Sequence, residues 1–450
     1  MNDDRAGDAL ALAESALAQA LREGVSEAEA LVMAEDSALT RFANSEIHQN
    51  VAETNSVINL RVIIGKRVGV ASTGRTDPEG LRRLAENAAA IARVVEELDD
   101  WGGLPGPTEA SPVGAGYSAA TAGATPEFRA DAVRWVIAAA DAAGVTAYGS
   151  FATGLESTAV ANSNGVRVAG TRTTSQLITV SMGPGGGTGY AEAAAVDAST
   201  IDAKAIGREA AVKARATANA VSIEPGDYPV VLEEYAVVDL LDMLGYLGFS
   251  ALAVQEERSF VEPGKRIGSA IVTIRDDGRD PAGLPLWFDY EGVAKQRVEL
   301  IDDGICRGVV HDSQTAARAG VSSTGHGLPA PNPYGPFPLN MVMEPGTATR
   351  DDLIGGLDRG LLVTRFHYTN PVHPKLAIVT GMTRDGTFLV ENGRIVGPVK
   401  NLRYTQSYLA ALAGTVAIGR ERKTLRGFLG GVVVPPVRID NWTFTGGTEH

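Results

Sequence analysis

Apolar positions in the first half of the chain alternate between helical and strand spacing, and the same order occurs twice. Between Asp4 and Glu23, Leu10, Leu17 and Leu21 fall on one helical face before Gly24 supplies a stop. The runs 28–33, 39–43, 55–64 and 67–72 are β-branched or alternating and predict strands, with Gly65-Lys66 as a turn between the last two. Asp77 then predicts a cap for a helix that opens at Pro78 and carries Leu81, Leu84, Ala88, Ile91 and Val95 inward.

Residues 102–123 are dense in Gly, Pro, Ser and Ala without periodicity and predict a surface connection, ordered or mobile. Beyond it, Thr125 and Pro126 begin a helix with Val133, Ile137 and Ala140 inward and Gly144 at its end. Strands are expected at 145–153, 157–161, 166–182 and 189–195. Ser199 with Asp202 then resembles a capping box for a helix reaching Ala220. The repeat is one of element order, not of sequence identity.

The pattern changes at Ile223-Glu224-Pro225-Gly226-Asp227-Tyr228-Pro229, which predicts a boundary between an α+β domain over 1–222 and a β-rich domain over 223–450. Helices are expected only near 236–245 and 351–359. The other short apolar runs, separated by Gly, Pro, Asn and Asp, predict a mostly antiparallel sheet closed or folded on itself. The fold class is α+β with two domains.

Composition narrows the function. The 450 residues are 44% hydrophobic and 21% charged, enough apolar material for two cores. A formal charge of −14 disfavours a phosphate backbone as partner, and the densest basic cluster, Arg420, Arg422, Lys423 and Arg426, contains Glu421. No apolar run is long enough to span a membrane, and the N-terminus lacks the basic and apolar segments of a signal peptide. Cys306 is the single cysteine, so no intrachain disulfide forms, and a cytoplasmic location is expected. It lies in a predicted hairpin around Asp303-Gly304, where a packing role is expected.

Metal-dependent peptide hydrolysis needs side chains that hold the ion and a carboxylate beside it. None of the six histidines, His48, His311, His326, His367, His373 and His450, is followed by glutamate, so the His-Glu-x-x-His pattern and its one-residue-longer form are both absent. Pro371 prevents His367 and His373 from sharing a helical face, although a hairpin could bring them together with His326 or His311. Neither Thr324-Gly325-His326-Gly327 nor Gly183-Pro184-Gly185-Gly186-Gly187 matches a phosphate-binding loop. Among the acidic pairs, Asp289 and Glu291 have the spacing that puts both on one face of a strand.

A series of segments resembles the TldD/PmbA family, on its PmbA (TldE) branch. They are Thr40–Asn50, Asn162-Ser163-Asn164-Gly165-Val166, Arg275-Asp276-Asp277-Gly278, Asp289-Tyr290-Glu291-Gly292, Asp312–Gly320, Ser323-Thr324-Gly325 and Thr380–Gly393, in the family's order. The resemblance implies a subunit of a TldD/TldE-type metalloprotease complex that acts on unfolded or modified peptides. In TldD-like subunits His-Glu-x-x-x-His and a later cysteine hold zinc. Aligned by eye, that motif falls at Leu241-Asp242-Met243-Leu244-Gly245-Tyr246, which has no histidine. The resemblance therefore implies no metal ligand, catalytic residue or cofactor in this chain, and zinc in a TldD-like partner. Candidate peptide contacts are Ser323, Thr324, Gly325, His326, His367, His373, Thr380 and Gly381. A self-sufficient metallopeptidase with an atypical histidine site, or a homodimeric peptide-binding protein, are the alternatives.

Overall fold

The computed structural model describes residues 2–111, 116–428 and 430–448. The first half contains α1 (Asn2–Leu21), β1 (Glu27–Ala43), β2 (Glu46–Ile64), β3 (Arg67–Thr73) and α2 (Pro78–Val94). It continues with α3 (Ala119–Ala122), α4 (Pro126–Ala143), β4 (Thr146–Asn162), β5 (Arg167–Met182), β6 (Thr188–Ala195) and α5 (Ala203–Ala216). Local chemistry explains the helix ends. The Asp77 carboxylate accepts from Gly80 N with Pro78 next in line, Thr125 accepts from Phe128 N, and Gly144 closes α4 at φ +67°. The Ser199–Asp202 capping box does not form. Ser199 is held by Asp197 in the preceding turn, and Asp202 alone caps α5 by accepting from Lys204 N and Ala205 N.

The repeated element order appears as symmetry in one sheet, ordered β3-β2-β1-β4-β5-β6 with the two copies meeting at the antiparallel β1–β4 pair. The same contact recurs in each copy. Gly69 on β3 lies under α2, where a Cβ would stand 2.1 Å from Ala88 O, and Gly189 on β6 lies under α5, where a Cβ would stand 2.1 Å from Ala210 O. Both helices present alanines at that contact, so backbone packs directly on backbone. The paired residues Ala30 with Ala161 and Val32 with Ala159 join the core under α1 and α2. The alternate positions Leu31 and Val160 face the opposite way and pack on Trp287 and Phe288 from the second half. The N-terminal sheet is thus covered by helices on one face and by the C-terminal half on the other.

The second half contains β7 (Gly226–Leu232), α6 (Glu234–Leu247), α7 (Ala251–Gln255), β8 (Ile274–Asp276), β9 (Val298–Asp302), β10 (Ile305–Cys306), α8 (Ser313–Ala319) and β11 (Met341–Met343). It then runs through α9 (Arg350–Gly355), β12 (Arg359–His373), β13 (Ile378–Glu391), β14 (Arg394–Pro398), β15 (Leu402–Ser407) and α10 (Tyr408–Ala413). The last elements are β16 (Thr415–Ile418), β17 (Lys423–Arg426), β18 (Gly431–Val434) and β19 (Val437–Gly447). One sheet runs β10-β9-β8-β11-β18-β17. The other runs β12-β7-β19-β15-β13-β14, and β12 also pairs with β13, so its first five strands close into a barrel. Only the β7–β12 and β11–β18 ladders are parallel among these strands. Phe366, Tyr404, Tyr408 and Trp442 cluster in the core, with Phe366 stacked on Trp442 at 4.9 Å. Cys306 is buried there, and burial pushes its thiol up.

The connection after α2 is a strap laid over both halves. Leu104 N donates to Glu27 Oε1 (3.0 Å) and Asn162 Nδ2 donates to Pro105 O (2.9 Å), while Ala294 N donates to Thr108 Oγ1 (2.8 Å) and Gln314 Nε2 to Gly103 O (3.1 Å). Its residues 112–115 lie outside the described residues.

Leucine at Gly69 or at Gly189 is expected to lower unfolding free energy by about 2–3 kcal/mol through overpacking. Alanine at Gly7, where nothing lies within 4 Å of the new Cβ, is expected to raise it by about 0.5–1 kcal/mol. Urea unfolding of the three variants checks both signs.

Candidate functional site

Two polar constellations lie at functionally informative places. The first is buried where the halves meet. Arg61 on β2 donates to Glu29 Oε1 on β1 (2.8 Å) and to Glu291 Oε1 of the second half (3.0 Å). Glu291 Oε2 also accepts from Ser313 N (2.9 Å) and Ser313 Oγ (2.6 Å). Asp289 Oδ1 accepts from Glu291 N and Val293 N, and its Oδ2 from Gly327 N (2.7 Å). Asp289-Tyr290-Glu291-Gly292 is therefore a tight turn with Gly292 at φ +78°, not the strand its spacing predicts. Burial pushes the Glu29 carboxyl up to about 8, against the attraction of Arg61 and with help from Glu291 and Asp289. Burial and Glu291 likewise push Asp289 up to about 7.

Beside it, Asp276 Oδ1 meets Lys295 Nζ (3.0 Å) and His326 Nε2 (2.7 Å), and Oδ2 accepts from Asn340 N (2.7 Å). All three ionisable side chains are 0% exposed. Because a carboxylate only accepts, His326 Nε2 carries a hydrogen. Burial, with the Lys295 charge, lowers the imidazole pKa and keeps the ring neutral, so Nδ1 accepts from Thr324 Oγ1 (2.9 Å). Despite burial, Lys295 and His326 hold the Asp276 carboxyl well below the usual range.

The second constellation is the one partly open face of α6, formed by Asp239, Asp242, Met243 and Tyr246 at helical spacing. Asp239 Oδ1 accepts from Tyr408 Oη (2.8 Å). Tyr408 Oη is 3.0 Å from Tyr404 Oη, which is 3.0 Å from Thr369 Oγ1 on β12. Asp242 Oδ2 accepts from Phe428 N (2.8 Å), and a Cβ on Gly427 would meet Asp242 Oδ1 at 2.6 Å. Burial pushes Asp239 up to about 6 and Asp242 up to about 7. Around them stand three exposed aromatic residues, Tyr246 (40%), Tyr368 (72%) and Phe428 (75%). Two carboxyl groups that titrate near neutrality beside exposed rings can bind polar backbone groups and apolar side chains together.

The eight residues singled out in the sequence divide between these places. Ser323, Thr324, Gly325 and His326 belong to the Asp276 cluster, inside the second half beside the join. Ser323 Oγ donates to His311 O (3.2 Å), and a Cβ on Gly325 would stand 2.4 Å from Ala294 O. His326 has no exposed atom surface and both nitrogens engaged, so it is an internal strut here, available to neither a peptide nor an ion. His367, His373, Thr380 and Gly381 lie on the β12–β13 hairpin, where His367 pairs with Met382, Asn370 with Thr380 and His373 with Ile378. His373 is exposed, His367 and Thr380 are half-buried, and Gly381 is buried under the Tyr404 ring. Among the described residues no three His, Cys, Asp or Glu side chains come together as an ion site. The sequence reading missed Asp239, Tyr408 and Phe428; the aspartates of α6 on a face otherwise apolar were the available signal.

The segment aligned with the zinc motif of TldD-like subunits does not fit the metal. Leu241 is apolar and fully buried, Tyr246 offers a phenol, and Cys306 is buried on β10. Only Asp242 supplies one of zinc's ordinary donors.

Family models described as PmbA/TldA metallopeptidase domain 1, central domain and C-terminal domain match residues 28–92, 124–218 and 225–446. The chain is 29% identical over 201 residues to a protein named Metalloprotease TldD homolog from Buchnera aphidicola, covering 41% of this chain and 40% of that one. It is 31% identical over 209 residues to the protein of the same name from Haemophilus influenzae, covering 44% and 42%. The match thus spans about two fifths of these relatives' length. The crystal structure of TldE from Thermococcus kodakarensis superposes with a TM-score of 0.87 over 96% of this chain and 99% of that one, at 22% identity, a likeness of fold.

Glu29 and Asp289 bind protons more tightly in the folded chain than at their ordinary values of 4.5 and 3.8. Their stabilisation is therefore complete below those values and is lost as pH rises through about 7 to 8. Glu29→Gln, which mimics the protonated acid, is expected to flatten the fall in thermal stability between about pH 5 and 8. It should exceed the parent at the alkaline end by on the order of 1 kcal/mol. Lys295→Met, which strands the Asp276 charge, is expected to cost about 3–5 kcal/mol in the same melts.

Proposed function

Because the chain belongs to the PmbA/TldD metallopeptidase family, we propose that it is the TldE-like subunit of a two-component metalloprotease acting on unfolded or modified peptides. In this reading it carries no zinc and no catalytic residue. A TldD-like partner supplies both, and this chain encloses the extended peptide. The observation that carries the proposal is the composition of α6: Leu241 and Tyr246 stand where the aligned motif has histidines, and the helix face nevertheless remains open and polar.

The surroundings of that face suit a peptide. The β12–β13 ladder slips register between His367 and Asn370 and again between Pro371 and His373, so backbone groups near the hairpin end are not all engaged in regular pairing. An extended peptide can use such groups through main-chain hydrogen bonds, which give affinity with little sequence preference. Tyr246, Tyr368 and Phe428 offer apolar surface beside them. The histidine-based metallopeptidase reading loses His326, whose ring is committed to Asp276 and Thr324. A cytoplasmic location accords with the single buried cysteine, and among the described residues no helix is long and apolar enough to cross a membrane.

The test is peptidase activity of the purified chain alone, of the TldD-like protein from the same organism, and of the mixture, each with and without a chelator. Cleavage confined to the mixture, or strongly raised in it, and abolished by chelation is expected, with no stoichiometric zinc in this chain alone. Chelator-sensitive cleavage by this chain in isolation contradicts the proposal.

A further inference from the structure

A second concave surface adjoins the open face of α6 and is used by none of the interactions above. Tyr408, whose hydroxyl binds Asp239, begins α10, and the next residue, Leu409, lines a cavity of about 1030 Å³. This is the size of a site for a ligand of several residues. The walls are Phe260, Val261, Ile267, Leu376 and Leu409. Phe260 is fixed in place: its ring stands edge-on to Phe249 at 5.3 Å and lies against Gly248, where a Cβ would meet it at 2.2 Å. The apolar wall is therefore preformed, and an occupant has little ordering cost to meet on the protein side.

Charge at the rim specifies the occupant further. Lys265 is paired with Glu262 (2.8 Å), and Arg266 Nη1 donates to Asp303 O (2.9 Å). Lys375, at the turn of the β12–β13 hairpin, is exposed and has no ion-pair partner among the described residues. Among the described residues Lys375 and Arg266, which donates only to backbone carbonyls, leave two cations at the cavity without an ion-pair partner against one unpaired acid, Glu257, and this net single positive charge complements a ligand with an apolar body and a single terminal carboxylate. The same hairpin carries Thr369 of the α6 network and the exposed Tyr368 and Val372, so a chain lying along it leads from the α6 face to Lys375.

We propose that this cavity receives the C-terminal end of a peptide, its last apolar side chains against Phe260, Ile267 and Leu409 and its free carboxylate at Lys375. The inference rests on the peptide-enclosing role argued above and adds to it a recognised chain end. It makes the subunit a reader of peptide termini as well as a wall of the site.

Binding of a fluorescein-labelled apolar hexapeptide ending in phenylalanine, as free acid and as C-terminal amide, to the full chain tests this by fluorescence anisotropy. The acid is expected to bind about fivefold more tightly than the amide, the scale of one exposed ion pair. Lys375→Ala should reduce the preference below about twofold, and Leu409→Asp should weaken both peptides together. Circular dichroism of each variant verifies the fold, and since Lys375 is exposed its variant is not expected to unfold. Equal binding of acid and amide, an unchanged preference in Lys375→Ala, or displacement of the peptide by decanoate overturns the assignment. Loss of terminal discrimination with partner-supported cleavage intact refutes the cavity alone. Discriminating binding without any partner-supported cleavage refutes the subunit role instead.

Discussion

A charge removed from water must be met by an opposite charge or by several hydrogen bonds, and this requirement governs how the two halves of the molecule join. Arg61 from the N-terminal sheet is shared by Glu29 of the same sheet and Glu291 of the other half, and beside this crossing, within the second half, Asp276 is shared by Lys295 and His326. Withdrawing Arg61 leaves Glu291 without a cation, and withdrawing Lys295 leaves Asp276 with only a neutral imidazole. Trp287 adds a steric lock, lying so close to Gly170 that a Cβ there would stand 2.2 Å from its ring. The orientation of the second half against the first sheet follows from the contacts that cross, Arg61 with Glu291 and Gly170 with Trp287.

That rigidity bears on the site. The barrel holds the β12–β13 hairpin and α6 in one frame, because Phe366 of β12 and Tyr404 of β15 pack around Trp442 of β19 while Tyr408 reaches across to Asp239. The face of α6 is left open by its neighbours rather than by any irregularity of its own. Leu240, Leu241 and Leu244 fill the core, and the aspartates take the remaining side, where partial burial brings them close to neutrality. An uncharged or singly charged acid pair is compatible with a passing peptide backbone, whereas two fully ionised groups would hold a tighter shell of water.

Features decided within a few residues were legible in the sequence. Asp77 with Pro78, Thr125 with Pro126, and Gly144 predicted three helix ends because caps depend on adjacent backbone. The repeat of element order was legible too, as was a β-rich second half folded on itself, although the closing β12–β13 pairing that makes it a barrel has no local signal. Features decided by distant partners were not legible. Asp289 and Glu291 alternate like strand residues, yet the turn exists because Asp289 caps its own backbone while Glu291 meets Arg61, 230 positions away in sequence. His326 looked available because Asp276, the partner that buries its Nε2, is distant in sequence and gave no periodic signal. The turn at Asp289 to Gly292 thus serves the join between halves, the segments around Asp276 and Ser323 brace the second half beside it, and the open chemistry lies on α6 and the hairpin.

Under the proposed function, this chain would hold an extended peptide on the barrel's hairpin and α6 without cutting it. Hydrogen–deuterium exchange of the full chain with and without an unstructured decapeptide, read together with the peptide's mass, tests that directly. The account predicts slowed exchange within residues 366–378 and an intact peptide after incubation. Protection confined to residues 321–327, or a shortened peptide in the absence of any partner, would contradict it.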